Sequence, residues 1–349
     1  MSAYGISGDL IEWIRALLID RSQCTRINNS CSDYVNITSG VIQGSAIGPL
    51  LFLLYVNDVT YIFEDPNCVC KLYADDIKLY SVLNCASDCS DLQSKLYELQ
   101  QWSDKWQLNI SYKKCSTLFI GRQQNKPQRS LVLGEIALPL AESVRDLDVI
   151  IDGNLKFDIH IGHIVTRAHR LANLIHKCFV SRHAPTLTLA FITYVRPMLE
   201  FATCVWSPNS VGLTKKIESV QRRFTKRFIG YRNLTYDERL TSLGLVRLEL
   251  RRLHFDLIYV YKILFGMVET DISGFFTVSK PETGIVTRGH NFKLFVPQSR
   301  IDVRKYFFCH RVLRCWNSLP AQPDDFLSLN NFKRLLDRTD LSNFLLCCD

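Results

Sequence analysis

The chain has 349 residues, 47% of them apolar, enough for a sizeable core divided over two or three structural units. It carries a net charge of +8 and no run of ~20 uninterrupted apolar residues, which argues against a membrane span. Its 13 cysteines are scattered without a Cys-x-x-Cys pair, which argues against a disulfide framework or a ribbon-type zinc site.

Residues 8–20 put Leu10, Ile14, Leu17 and Leu18 on one helical stripe, and alternation around 24–27 and 34–38 predicts a hairpin. After a loop at 39–48, residues 49–63 read as a mostly buried helix with Pro49 in its first turn. Two short strands, 68–74 and 77–82, flank Ala74-Asp75-Asp76, and a helix follows over 90–106. Short strands are expected near 117–120, 131–133 and 144–151. Beyond 152 the spacing becomes helical at 158–181, 186–206, 212–229 and 246–267. A poorly patterned stretch, 270–300, then precedes helices at 302–318 and 326–338. The expectation is an α+β chain: a mixed part to about 152, then an almost wholly helical one.

Charge follows the same division. Residues 1–110 hold 7 Lys/Arg against 13 Asp/Glu, a net of −6, whereas 111–349 hold 35 against 21, a net of +14. Residues 213–252 alone hold 11 basic and 4 acidic residues. An acidic front and a basic rear suit a polyanion handled beside a cation-binding site, although solvated helix faces give similar counts.

Tyr73-Ala74-Asp75-Asp76 places two carboxylates on a tight turn between apolar strands, where a divalent cation would relieve both repulsion and desolvation. Phosphoryl transfer uses two Mg²⁺ ions in such a setting, but Asp-Asp is also common in solvated turns. Some thirty residues upstream, the loop 39–49 carries glycines at 40, 44 and 48 that allow close backbone approach to a substrate. Gln43 in the same loop can both donate and accept. The loop reads equally as a glycine-rich turn ahead of a core helix. In the basic region, Gln221-Arg222-Arg223-Phe224-Thr225-Lys226-Arg227-Phe228 puts Phe224 and Phe228 one turn apart, facing the core, with the cations on the outer face. Lys215 and Lys216 precede them, and Arg251, Arg252 and Arg288 are candidates to extend that surface.

Trp206, Trp316, His254 and His310 read as structural. Cys68, Cys70, Cys85 and Cys89 are too irregularly spaced to favour zinc over reduced thiols, and His310 with Cys309 and Cys315 lacks a fourth ligand.

At the level of motifs, GVIQGSAIGPLLFLLYVNDV resembles motif B of reverse transcriptases, with Ile42-Gln43-Gly44 where the family usually has Pro-Gln-Gly. LYADDIKLY resembles motif C, and WQLNISYKKCSTLFIG is similar to the motif that follows. VRDLDVIID, AFITYVRPMLEFATCVWSP, IESVQRRFTKRFIG, LELRRLHFDLIYVYKIL, TRGH and FFCHRVLRCWNSLP resemble the later regions of LINE-type (non-LTR) retrotransposon enzymes. The resemblance therefore covers nearly the whole chain in order.

The resemblance implies an RNA-directed DNA polymerase of the right-hand type. Residues 1–152 would be a partial palm, 153–269 a helical thumb that binds nucleic acid, and 270–349 a C-terminal helical region. It implies Asp75 and Asp76 as Mg²⁺ ligands and Lys114 as the acid that helps protonate the pyrophosphate. Gly40, Gln43, Gly44 and Tyr73 would line the nucleotide site. Lys215, Lys216, Arg222, Arg223, Lys226 and Arg227 would meet nucleic acid. The implied partners are RNA template, DNA primer or target, deoxynucleotides and other element-encoded chains, with no membrane, in the nucleus or cytoplasm.

Two departures from the pattern stand out. The family's motif A aspartate has no convincing counterpart: Asp9 and Asp20 flank a helix and Asp58 lies just after motif B. The two-ion site is thus expected to be incomplete and the isolated chain inactive, or nearly so. Asp148 stands where the family typically has Gly, in a turn where a positive φ would favour glycine. A non-catalytic, nucleic-acid-binding remnant is the alternative expectation.

Overall fold

Met1–Thr117 with Gln123–Ala141 form one unit of the chain, and Leu118–Arg122 with Glu142–Asp349 form another. The computed structural model describes residues 1–63, 67–84, 86–121, 130–279 and 289–347. The chain mixes helix and sheet, as an α+β protein does.

In the first unit, α1 (Asp9–Leu18) opens with Asp9 and Glu12 in its first turn, where carboxylates complement the helix dipole. Strand β1 (Arg21–Gln23) pairs antiparallel with β4 (Val35–Ile37), and β2 (Arg26–Ile27) with β3 (Ser30–Cys31) forms a smaller hairpin between them. The next helix, α2 (Gly48–Val56), is apolar on every side. Leu51 and Val56 are buried, whereas Leu50, Leu53 and Tyr55 stay exposed. The helix tightens into a 3₁₀ segment, Asn57–Phe63, where the sequence predicted one continuous helix.

Strands β5 (Cys68–Tyr73) and β6 (Asp76–Ser81) pair in register from Cys68↔Ser81 to Tyr73↔Asp76. Alternation sends Cys70, Leu72, Ile77 and Leu79 to a core with Val56, Val59, Phe63 and Leu99. The long helix α3 (Ala86–Trp106) closes that core. Gln93 on α3 clamps the next hairpin, donating to Val132 O and accepting from Val132 N, both at 2.7 Å. That hairpin joins β8 (Val132–Leu133) to β9 (Ile136–Ala137), while the short strands β7 (Thr117–Leu118) and β10 (Leu140–Ala141) lie where the chain passes between units.

The second unit begins with the hairpin β11 (Ser143–Asp146) and β12 (Val149–Asp152). Its two-residue turn holds Leu147 at φ 43° and Asp148 at φ 68°. The turn therefore does require the left-handed conformation, and Asp148 meets it with a carboxylate hydrogen-bonded by Arg145. That bond holds the Asp148 carboxyl below its ordinary range. Asp152 then accepts from the backbone N–H groups of Asn154, Lys156 and Phe157 at 2.9, 3.3 and 2.8 Å, setting the entry to α4 (Asp158–Cys178).

The helix expected over 186–206 is broken. It runs as α5 (Ala184–Ala190), a π-turn at Phe191–Val195, α6 (Arg196–Glu200) and α7 (Thr203–Trp206). Pro197 removes one backbone donor, and Ala202 at φ 53° turns the chain. Next come α8 (Val211–Lys226), capped by Ser210, and α9 (Tyr236–Leu243), which starts in a Thr235–Glu238 capping box and stops at Gly244 with φ 61°. The long helix α10 (Leu248–Leu264) follows. The region expected as one helix over 302–318 is three short ones, α11 (Asp302–Lys305), α12 (Phe308–Arg311) and α13 (Leu313–Ser318), and α14 (Leu329–Arg338) comes last.

Among the described residues this unit has two large apolar cores and a small cluster of Tyr236, Leu240 and Leu245. One gathers α4, α5, α7 and α8 around Phe191, Trp206 and Phe224 and reaches Leu248. The other gathers α12 to α14 around Trp316, Phe326 and Phe332 against Leu257, Val260, Tyr261 and Ile263 of α10. Trp206 and Trp316 are both fully buried, matching their reading as core residues. A buried polar layer joins α8, α9 and the start of α10. Glu218 accepts from the Tyr236 hydroxyl and, at 3.2 Å, from Leu248 N–H, while Gln221 donates to Tyr236 and Val246 at 3.0 Å. Burial pushes the Glu218 carboxyl up.

Candidate functional site

The two candidate carboxylates sit at the tip of the β5–β6 hairpin. Ala74 adopts φ 50° in the two-residue turn 74–75, a conformation costing a non-glycine residue ~1–2 kcal/mol. The hairpin holds it there because Leu72↔Ile77 and Cys70↔Leu79 are locked on the core side. Asp75 and Asp76 are both exposed, so the flanking strands do not desolvate them as the sequence suggested. Tyr73 is exposed opposite Asp76, and two pairs further from the tip Lys71 faces Lys78 on the same outer surface. That cationic pair escaped the sequence reading, although simple alternation from Tyr73 would have found it.

The glycine-bearing loop lies in the same unit. Gly40 and Gly44 take φ of 79° and 82°, and Gly40, Gln43 and Gly44 are exposed. Arg21 pins the start of the loop, donating to Gly40 O at 2.6 Å and Ser39 O at 3.3 Å. At its end the Ser45 hydroxyl donates to Ile42 O at 2.7 Å and accepts from Gly48 N at 3.1 Å, capping α2. A Cβ on Gly48 would lie 2.8 Å from that hydroxyl oxygen, so glycine is required by close approach. Lys114 ends a 3₁₀ turn, Tyr112–Lys114, and is exposed. Among the described residues no hydrogen bond links Gln43 or Lys114 to Asp75 or Asp76.

The donor chemistry suits Mg²⁺, which takes hard oxygen ligands and is commonly held by one or two carboxylates with substrate phosphates. Among the described residues no three His, Cys, Asp or Glu side chains converge to hold a metal, so Asp75 and Asp76 stand as a pair. Asp58, the nearest sequence candidate for a third carboxylate, instead accepts from Trp102 Nε1 at 2.9 Å. Cys85 of the cysteine set lies outside the described residues.

In the second unit Phe224 and Phe228 are buried, and Phe224 stacks on Phe191 with centroids 4.8 Å apart. Lys215, Lys216, Arg222, Arg223, Lys226 and Arg227 are all exposed. Arg222 lies over the Tyr236 ring at 4.6 Å, and Arg227 donates to Asn173 Oδ1 at 2.7 Å. The expected extension onto α10 needs correction. Arg252 is buried behind the polar layer, and Arg251 is ion-paired with Glu200, with a second bond at 3.0 Å. Both point into helix packing because α10 is enclosed by neighbours along that stretch. Arg288 lies outside the described residues.

The helix expected over 158–181 is α4, whose part in the basic surface the sequence did not reveal. A groove of about 560 Å³ between α4 and α8 is lined by Arg170 and His169 from α4 as well as by Arg223, Lys226 and Arg227. Burial and the neighbouring Arg223 push the His169 imidazole down, and its Nε2 lies 3.3 Å from Ser219 Oγ.

Comparison with known proteins bears on the first unit above all. Residues 1–138 match the family model described as reverse transcriptase (RNA-dependent DNA polymerase). The chain is 23% identical over 223 residues to a protein named "Probable RNA-directed DNA polymerase from transposon X-element" of Drosophila melanogaster, covering 62% of this chain and 24% of that one. It is 26% identical over 223 residues to the corresponding protein of transposon BS from the same fly, covering 60% and 24%. It is 28% identical over 236 residues to "RNA-directed DNA polymerase from mobile element jockey" of Drosophila funebris, covering 64% and 25%. The chain thus spans about a quarter of the length of these relatives.

Proposed function

We infer, for a chain that belongs to the LINE-type (non-LTR) reverse transcriptase family, that these residues carry part of the nucleotidyl-transfer site and part of the nucleic-acid-binding surface of an RNA-directed DNA polymerase. The observation that carries this reading is the β5–β6 tip, where Asp75 and Asp76 are held exposed by a left-handed turn inside the matched region. On this reading the first unit is palm and the helices from α4 onward are thumb and C-terminal region.

Asp75 and Asp76 would hold Mg²⁺, which when bound favours attack by a 3′ hydroxyl and offsets charge on the leaving pyrophosphate. Gly40, Gln43 and Gly44 seat the incoming deoxynucleotide, the glycines by admitting close backbone approach and Gln43 by hydrogen bonding. Tyr73 flanks the same seat. Lys114 supplies a proton to the pyrophosphate. The exposed cations of α8 hold the RNA template and DNA primer by their phosphates. Because two carboxylates, among the described residues, meet at the tip, the reaction requires a further one. The same deficit favours a second reading, in which these residues bind nucleic acid without catalysis.

Two measurements test this. Mn²⁺ binding, followed by water-proton relaxation, is expected for the chain and absent from Asp75→Ala/Asp76→Ala; equal binding by both would remove the metal assignment. Primer extension on a homopolymer RNA template with Mg²⁺ is expected to give no incorporation. Incorporation that the double substitution abolishes would mean that some other carboxylate of this chain completes the site and would refute the expectation that it is incomplete.

A further inference from the structure

The outer face of the β5–β6 hairpin runs in rungs away from its tip. Tyr73 opposes Asp76, Lys71 opposes Lys78, and Val69 opposes Tyr80. Cys70, Leu72, Ile77 and Leu79 alternate with these residues and face the core, so the three rungs share the other side of the hairpin. Tyr73, Asp76, Lys71, Lys78 and Tyr80 are exposed along it. Neighbouring rungs on one face stand two residues apart, ~7 Å along the strand. The order from the tip is therefore carboxylate, cation pair, aromatic ring. A slip of one residue would send both lysines into the core, so the register of the hairpin fixes how far behind the carboxylates they stand.

A cation pair at this place stands out against its surroundings. Residues 1–110 hold 7 Lys/Arg against 13 Asp/Glu. Arg15 and Lys95 approach Glu12 and Glu98 at 3.9 and 3.1 Å, Arg21 and Arg26 end on backbone carbonyls, and Lys105 lies over the Trp106 ring. Lys71, by contrast, has no hydrogen-bond or ion-pair partner among the described residues. Its ammonium group is available to an anion that arrives from outside. When a 3′ hydroxyl meets the carboxylates, the phosphate of that same nucleotide lies about one rung behind it, where the lysines are. An incoming nucleotide also carries phosphates, but it is compact and would leave the Val69–Tyr80 rung unused. A strand of nucleic acid continues along all three rungs.

We propose that the outer face of the β5–β6 hairpin is the track of the primer end, with Lys71 and Lys78 holding the phosphate of the 3′-terminal nucleotide. This rests on the reading of Asp75 and Asp76 as part of the nucleotidyl-transfer site, and adds to it two residues that place the primer terminus.

The test reads binding rather than incorporation and uses the full chain. A fluorescent DNA primer recessed on an RNA template is titrated by anisotropy with Mg²⁺ present, in three forms. One has ordinary phosphodiesters throughout, one an uncharged methylphosphonate at the 3′-terminal linkage, and one the same group in the middle of the primer. Lys71→Ala/Lys78→Ala is compared with Lys105→Ala/Lys113→Ala, a control of equal charge on exposed residues of the same unit. The hairpin pair is expected to weaken the ordinary primer and the mid-primer form about tenfold, the effect of losing charged contacts to one phosphate. The terminal methylphosphonate form should change less than about twofold, because its contact is already gone. Lys71→Arg/Lys78→Arg should bind as the unsubstituted chain does, and the control pair should leave all three forms unchanged. Equal losses on all three forms would mean a bulk-charge effect and overturn the track, as would unimpaired binding by the hairpin pair. Weakened binding of a fluorescent deoxynucleotide, with primer binding intact, would assign the lysines to the incoming nucleotide and overturn the track while sparing the wider reading. Failure of the unsubstituted chain to bind any form at low salt would take down both.

Discussion

Arg311→Ala is the perturbation for which the structure gives the clearest magnitude. Arg311 donates to both oxygens of Asp256 at 2.9 and 3.0 Å, and to the carbonyls of Tyr306, Thr203 and Cys204 at 3.3, 3.2 and 3.1 Å. It thereby joins α12, α10 and α7. Asp256 is only 4% exposed, and burial already pushes its carboxyl up against the opposing pull of Arg311. Removing the guanidinium leaves a buried carboxylate without its partner, which costs about 3–5 kcal/mol. The field of Arg252 still acts on Asp256, which puts the expected loss near the lower end, ~3 kcal/mol. For a unit of this size that corresponds to a fall in Tm of about 6–12 °C. The deficit should be full near neutral pH and shrink as pH falls toward the carboxylate range, because protonation removes the unpaired charge. Replacing both partners, as Asp256→Leu/Arg311→Met, should return stability to within about 1 kcal/mol of the unsubstituted chain. Urea unfolding at pH 7 and pH 5 reads all three outcomes. A loss under ~1 kcal/mol for Arg311→Ala at pH 7 would refute the pairing argument.

Two further outcomes are expected. His160 is buried against Trp206, its Nδ1 accepts from Ile150 N–H at 3.2 Å, and burial pushes its imidazole down to about 4. The unfolded chain takes up this proton near pH 6.5, so the stability is complete above that value and drains away as pH falls toward 4. Between pH 7 and 5 His160→Gln should therefore lose about 1–2 kcal/mol less than the unsubstituted chain, and identical losses would remove His160 from the account. Gly48→Ala should destabilise the first unit by about 1–2 kcal/mol despite the better helix propensity of alanine, because its Cβ meets Ser45 Oγ at 2.8 Å. Adding Ser45→Ala should recover part of that loss in chemical denaturation, and a more stable Gly48→Ala chain would contradict the close contact.

Much of this was legible in the sequence because it depends on local geometry. Two apolar strands around Ala74-Asp75 can only make a tight hairpin, and Phe224 and Phe228 one turn apart set which face of α8 is inward and hence which cations are outward. The division of 186–206 into pieces was not legible, because the apolar period continues across Pro197 and Ala202 while the backbone does not. Arg252 was misread for a related reason. Its periodicity allows an outer position, but the Glu218–Tyr236 layer brought to α10 by distant segments encloses it. Arg170 and His169 went unnoticed because a groove is a property of two helices, and only one of them was rich enough in cations to draw attention.

Helix α10 contributes Leu248 to one apolar core and Leu257, Val260, Tyr261 and Ile263 to the other. A single rigid rod that belongs to both cores makes their melting one event, since either can come apart only by stripping a face of the helix the other needs. Its central amides should thus exchange with solvent only when the whole helical unit opens, whereas those of α11, a four-residue helix with no buried residue, can open alone. Cooperativity across roughly two hundred residues would then hang on the continuity of seventeen.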